Sequence, residues 1–192
     1  LCASIRLTVM KRTSFCFLLF VCLCLSCKVD RQQLDVQRKL SLAGFLMEDN
    51  PDSALAVLRD VDTIVLRKSE SLNMEFNLLW VNIQNRLDNP MMKLEEFIPV
   101  LDYYDREGDT SKKMLAYYLA GRICVVGNEY PLAMDYFQRV RDIASETGEK
   151  SDYMTLYQTH SQMAEIYHNQ HLYQKSYDEC MEASQIAYNN QD

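Results

Sequence analysis

The chain has 192 residues, 48% of them hydrophobic and 24% charged, and a net charge of −7. Three of its 20 basic residues (Arg6, Lys11, Arg12) precede Cys27, so the remainder sets 17 basic against 27 acidic side chains, a formal charge of −10. That balance lacks the basic footprint of a nucleic-acid binder and any polybasic patch for anionic lipid, while only 5 glycines and 4 prolines favour helices over an all-β sandwich.

Met10 directly precedes Lys11-Arg12 and is the expected start, with residues 1–9 as an upstream extension. Phe15 to Leu25 is an apolar run of eleven residues. It is too short to cross a hydrocarbon core about 30 Å thick and has the length of a signal-peptide core. The run ends in Leu23-Cys24-Leu25-Ser26-Cys27. Residues 10–26 therefore resemble the signal peptide of bacterial lipoproteins, in which a small residue, here Ser26, stands before the cysteine that receives the lipid. Cys24 departs from that pattern where leucine is usual. The resemblance implies lipidation of Cys27; ordinary signal cleavage leaving a free Cys27 is the other reading. Acyl chains would tether the chain without spanning the membrane, each buried methylene contributing about 0.8 kcal/mol. Residues 27–31 form only a short tether, which would keep the folded body close to the lipid surface.

From residue 32 to 192 the apolar spacing is helical. A first pair is expected around Leu34, Leu40, Phe45 and Leu46, and after Asn50-Pro51 around Ala54, Leu55, Leu58 and Val61, with Asp52 or Ser53 as the cap. A second pair spans about Leu72 to Leu87 and Met92 to Arg106, broken at Asp88-Asn89-Pro90. Phe76, Leu79, Trp80 and Ile83 form its inward face, and Pro99 should kink or restart its second helix. A third pair runs from Met114 to Val126, turns at Gly127-Asn128-Glu129 and resumes near Pro131. The fourth covers Tyr153 to Tyr167 and about Tyr173 to Tyr188.

The third and fourth pairs echo one another. Gly121 and Ala133 are separated by twelve positions, as are Ala164 and Ser176, and Phe137 and Cys180 each follow four later. A glycine inside a helix costs about 1 kcal/mol against alanine, so Gly121 implies close approach of a second helix and intolerance of a larger residue there. Tyr117, Ala120, Gly121, Cys124, Tyr130, Ala133 and Phe137 carry a resemblance to the tetratricopeptide repeat family. His160, Met163, Ala164, Tyr167, Tyr173, Ser176, Cys180 and Ala183 carry it through the next unit. With cysteine at two aromatic places and proline at 99, the match departs from the family pattern, and it is strong only from residue 111 onward. The resemblance implies an all-α helix-turn-helix superhelix of about four pairs over 32–192, like the envelope-anchored repeat proteins of Gram-negative bacteria. In that family the first helix of each unit lines a partner groove. By position this implies Leu115, Tyr118, Arg122, Val125 and Val126, then Gln158, Ser161, Glu165, His168 and Asn169, with plain solvated surface as the other reading.

Candidate chemistry is sparse. His168 and His171 lie three apart with a turn between them and no evident third ligand, so surface or packing roles are expected for them and for His160. The adjacent pairs Glu95-Glu96 and Asp178-Glu179 point to different sides of a helix and cannot act as a dyad. Cys124 and Cys180 read as small buried hydrophobes, with a disulfide in an oxidising compartment as the alternative. No catalytic, metal or cofactor motif is present, and nothing specifies an oligomeric state. The expected function is a lipid-anchored scaffold that holds a protein or peptide partner in the cell envelope, facing the periplasm or the outer surface. The alternative is the N-terminal sensor portion of a membrane-bound signalling or transcriptional regulator, with further chain beyond Asp192.

Overall fold

The computed structural model describes residues 31–107, 109–147 and 152–190. Cys27 and the leader that precedes it lie outside these residues, as does Gly108. Every regular element among the described residues is an α-helix. The chain groups into two compact units, one reaching to Asn73 and one from Met74 onward.

The first unit holds α1 (residues 31–46), α2 (Pro51–Arg59), α3 (Thr63–Leu66) and the start of α4 (Glu70–Arg86). Val36, Leu40 and Ala43 are the buried stripe of α1, while Leu34 and Phe45 are 47% and 76% exposed. This corrects the expected inward face, because spacings of four and three keep 36, 40 and 43 on one side. Asn50, not Asp52 or Ser53, caps α2, its Oδ1 accepting from the Ser53 amide at 3.0 Å, with Pro51 in the first turn. Lys39 of α1 reaches Asp60 just beyond α2 at 2.7 Å.

The second unit continues α4 and adds α5 (Leu94–Glu107), α6 (Thr110–Val126), α7 (Tyr130–Thr147), α8 (Tyr153–Asn169) and α9 (Tyr173–Asn189). Pro99 sits inside α5, which runs on from Leu94 to Glu107, so the helix does not restart there. Phe97, Val100, Leu101 and Tyr104 hold that helix by a buried stripe, and the one backbone bond lost lies on its exposed side. Asp109 caps α6, its Oδ1 accepting from the Lys112 amide at 3.2 Å.

Three turns share one geometry. Asp88, Asn128 and His171 have φ of 51°, 59° and 60°. Just past each, the amides of Asn89, Glu129 and Leu172 donate back to the carbonyls of Gln84, Cys124 and Tyr167 at 3.0, 2.8 and 2.9 Å. This is the left-handed helix stop in which one residue turns the chain and spare carbonyls are satisfied. It makes α4/α5, α6/α7 and α8/α9 three copies of one local device. Phe97, Leu119, Phe137 and Val140 are fully buried in a cluster that Met163 and Ile166 of α8 join, each large apolar side chain contributing about 1.5–3 kcal/mol.

Candidate functional site: an open groove on the last helix pair

Within α6/α7, the echo seen in the sequence is a tight contact. A Cβ built on Gly121 would stand 2.7 Å from Cδ1 and 2.9 Å from Cζ of Phe137, and nearer still to Cε1. The missing side chain is therefore what admits the ring. In α8/α9 the matching residues are Ala164 and Cys180, each 43 positions later. Ala164 carries the Cβ that Gly121 lacks, so a ring at 180 in the same pose would collide with it, and the small Cys180 leaves space.

That space is a groove of about 450 Å³. Tyr157, Ser161, Ala164, Glu165 and His168 line it from α8, and Ser176, Cys180, Ala183 and Ser184 from α9. Each has a counterpart 43 positions earlier. Of those counterparts, Met114, Tyr118, Phe137 and Val140 are buried at 2%, 5%, 0% and 0%, while Arg122, Val125 and Arg141 are half-buried. Helix α8 packs on α6 and α7, with Met163 and Ile166 in the same cluster. Polar struts stitch the junction: Arg122 Nε donates to Asn85 Oδ1 at 2.8 Å and its Nη1 to Gln162 Oε1, and Arg141 Nη1 meets Glu179 Oε1 at 3.3 Å. The face that α8 covers on one pair is thus uncovered on the next among the described residues.

No protein-family model matches this chain, and neither does any curated protein or solved structure.

Of the ten positions expected in a partner groove, the structure brings Ser161, Glu165 and His168 together. Tyr118 is corrected to a core residue, 5% exposed and 6.0 Å from the Phe137 ring, because it packs in the shared cluster rather than facing a groove; burial also pushes its phenol pKa up. Arg122 is a half-buried strut. Leu115 and Val125 pack at the edge of the core, Gln158 is half-buried, and Val126 and Asn169 are exposed at helix ends. The four α9 residues of the groove were missed, since the sequence reading placed partner contacts on first helices alone. Cys124 is buried as expected, but Cys180 is exposed, which corrects its reading as a buried hydrophobe.

The groove's polar groups are unequally served. Ser161 and Ser184 donate to the carbonyls of Tyr157 and Cys180 at 2.9 and 2.8 Å. Ser176, only 9% exposed, makes no side-chain hydrogen bond among the described residues. At the mouth, Tyr173 stands edge-on to His168 at 5.6 Å between ring centres and meets His171 Nδ1 at 3.0 Å. On the opposite side, His160 Nδ1 and Glu179 Oε2 lie 2.6 Å apart with Arg141 beyond, an interhelical tie joining α7, α8 and α9. Among the described residues no three His, Cys, Asp or Glu side chains converge as metal ligands, and no helix is long and apolar enough to cross a membrane.

Proposed function

We propose that this chain is a tetratricopeptide-type helical-repeat scaffold, lipid-anchored through Cys27, that holds a protein partner in the bacterial cell envelope rather than catalysing a reaction. One observation carries the reading: an apolar groove on α8/α9 whose counterpart on α6/α7 is filled by its own Phe137 ring, in a cluster that α8 joins. Among the described residues nothing covers that groove, and an apolar hollow beside helical ridges is a shape that takes a partner's side chains by the same packing rules that fold the array. The recurring turn geometry and the 43-residue correspondence support a repeat architecture.

Two experiments test it. A photo-crosslinking amino acid at position 165 or 184, in the full chain on membranes, should capture a protein, whereas one at Asp142 on the opposite side should not. Equal capture from both sides, or none from either, refutes docking at the groove. Separately, Cys27→Ala should release the protein from the membrane fraction, and undiminished retention refutes the acyl anchor.

A further inference from the structure

Beside the groove, α9 presents a ridge. Tyr173, Tyr177, Met181 and Tyr188 are 59%, 60%, 52% and 74% exposed, and their spacing of four, four and seven puts them on one stripe. That stripe adjoins Cys180 and Ser184, which line the groove. A ridge and a groove side by side on one face are complementary to themselves under a two-fold axis.

We propose that this face is a homodimer interface, in which α9 of one copy runs antiparallel to α9 of the other and lays its Tyr177–Met181 ridge in the second copy's groove. The inference rests on reading the groove as a docking site. Three observations favour a second copy as the occupant. The groove is roomy where Cys180 and Ser161 replace the rings of Phe137 and Tyr118, so the occupant must bring an aromatic ring with it. Ser176, in the groove lining and without a side-chain hydrogen bond among the described residues, leaves a hydroxyl that a polar atom on that ring can meet, and a tyrosine carries both. The area also suffices. At roughly 200 Å² for each large side chain, the ridge exposes on the order of 500 Å² per copy. Two copies would bury about 1,000 Å² from the ridges alone, which reaches the lower limit for a specific interface before the groove walls are counted.

The test is light scattering on the full chain in mild detergent from about 1 to 100 μM, with thermal melting and circular dichroism alongside. Wild type should show twice the mass of one processed chain. Ala164→Gly/Cys180→Phe reproduces the Gly121/Phe137 pair, fills the groove from within and should weaken dimerisation by at least about tenfold. Tyr177→Lys changes only an exposed residue and should do the same with helicity intact. Either variant folding normally and remaining as dimeric as wild type overturns the interface. A wild-type monomer at 100 μM overturns the homodimer; if position 165 still crosslinks to a different protein, the docking reading survives with another occupant, and if it crosslinks to nothing, both fall.

Discussion

Gly121 offers the sharpest test of the packing. Replacing it with alanine should gain about 1 kcal/mol of helix propensity. The new Cβ would lie inside 3 Å of three atoms of the Phe137 ring, a ring that is fully buried and cannot swing into solvent. Overpacking of a well-filled core costs about 1–3 kcal/mol, and the closeness of this overlap puts it at the upper end. The net expectation is a loss of about 1–2 kcal/mol, or roughly 2–8 °C in Tm for a body of this size. Urea unfolding at 25 °C, followed by circular dichroism, measures it. The same substitution in a Phe137→Cys background should instead gain about 1 kcal/mol, because the clash is gone and the propensity remains. Phe137→Cys alone costs about 3 kcal/mol for the lost ring. The cycle should thus show a coupling of about 2–3 kcal/mol between the two positions. Gly121→Ala as stable as wild type in the Phe137 background, or equal effects in both backgrounds, would refute the account.

Three further outcomes follow from the site geometry. In native protein at pH 8, peptide-mapped alkylation should modify Cys180 readily and Cys124 only on unfolding, because Cys124 is buried and burial, with Glu129 nearby, pushes its thiol up to about 11; comparable labelling of the two would contradict the burial. Asp105 is held below its ordinary value of 3.8 by hydrogen bonds from Lys113 and Tyr117, at 2.9 Å each. A depressed carboxylate contributes stability above its unfolded value and loses it as pH falls through the folded one. Asp105→Asn should therefore cost about 0.5 kcal/mol at pH 6, a figure discounted for a solvent-screened pair, and the deficit should vanish as the pH drops below 3.8; a constant deficit would show that the charge is not its source. At the α6/α7 turn, where Asn128 has φ of 59°, Asn128→Val should lose about 1–2 kcal/mol while Asn128→Gly loses little, and equal losses would mean that the left-handed backbone is not what the turn demands.

The helices were legible because their signals are local. Apolar residues at helical spacing, ended by Asn50-Pro51, by Asp88-Asn89-Pro90 and by Gly127-Asn128, locate α2, α4, α6 and α7 to within a few residues. Helix α3 has four residues and no room for a period, so only the Asp62 cap, whose Oδ1 accepts from the Ile64 amide at 2.8 Å, could have announced it. Tyr118 and Arg122 were misplaced for a different reason. Their positions on α6 say which way they point, and only the packing of the surrounding helices decides whether they meet a partner or a neighbour such as Phe137, Asn85 or Gln162. Groove formation at Cys180 was invisible because its cause is missing volume, which leaves no mark in a hydrophobic pattern.

The pairs Gly121/Phe137 and Ala164/Cys180 show how one register can make both core and site. In each, two side chains share the space between a first and a second helix, and the size of one limits the other. Glycine admits a full ring, the ring builds a floor with Tyr118 and Val140 in one buried cluster, and Met163 and Ile166 of α8 join it. Alanine excludes the ring, the floor drops at Cys180, and a hollow of about 450 Å³ remains. A helix with the same surface as α8 would leave that hollow empty, forfeiting dispersion contacts along its whole lining. The favoured occupant is therefore one that carries the volume the pair gave up, an aromatic ridge such as that on α9. Exchanging the two residue pairs between α6/α7 and α8/α9 should then exchange the properties of the two faces: the α8/α9 face becomes flat and loses its affinity for the ridge, while the junction beneath α8 acquires a cavity and loses about 2 kcal/mol, the cost of the lost ring less the helix propensity regained at position 121. If the exchanged protein kept both its stability and its association, side-chain volume at these four positions would not be what separates a buried junction from an open groove.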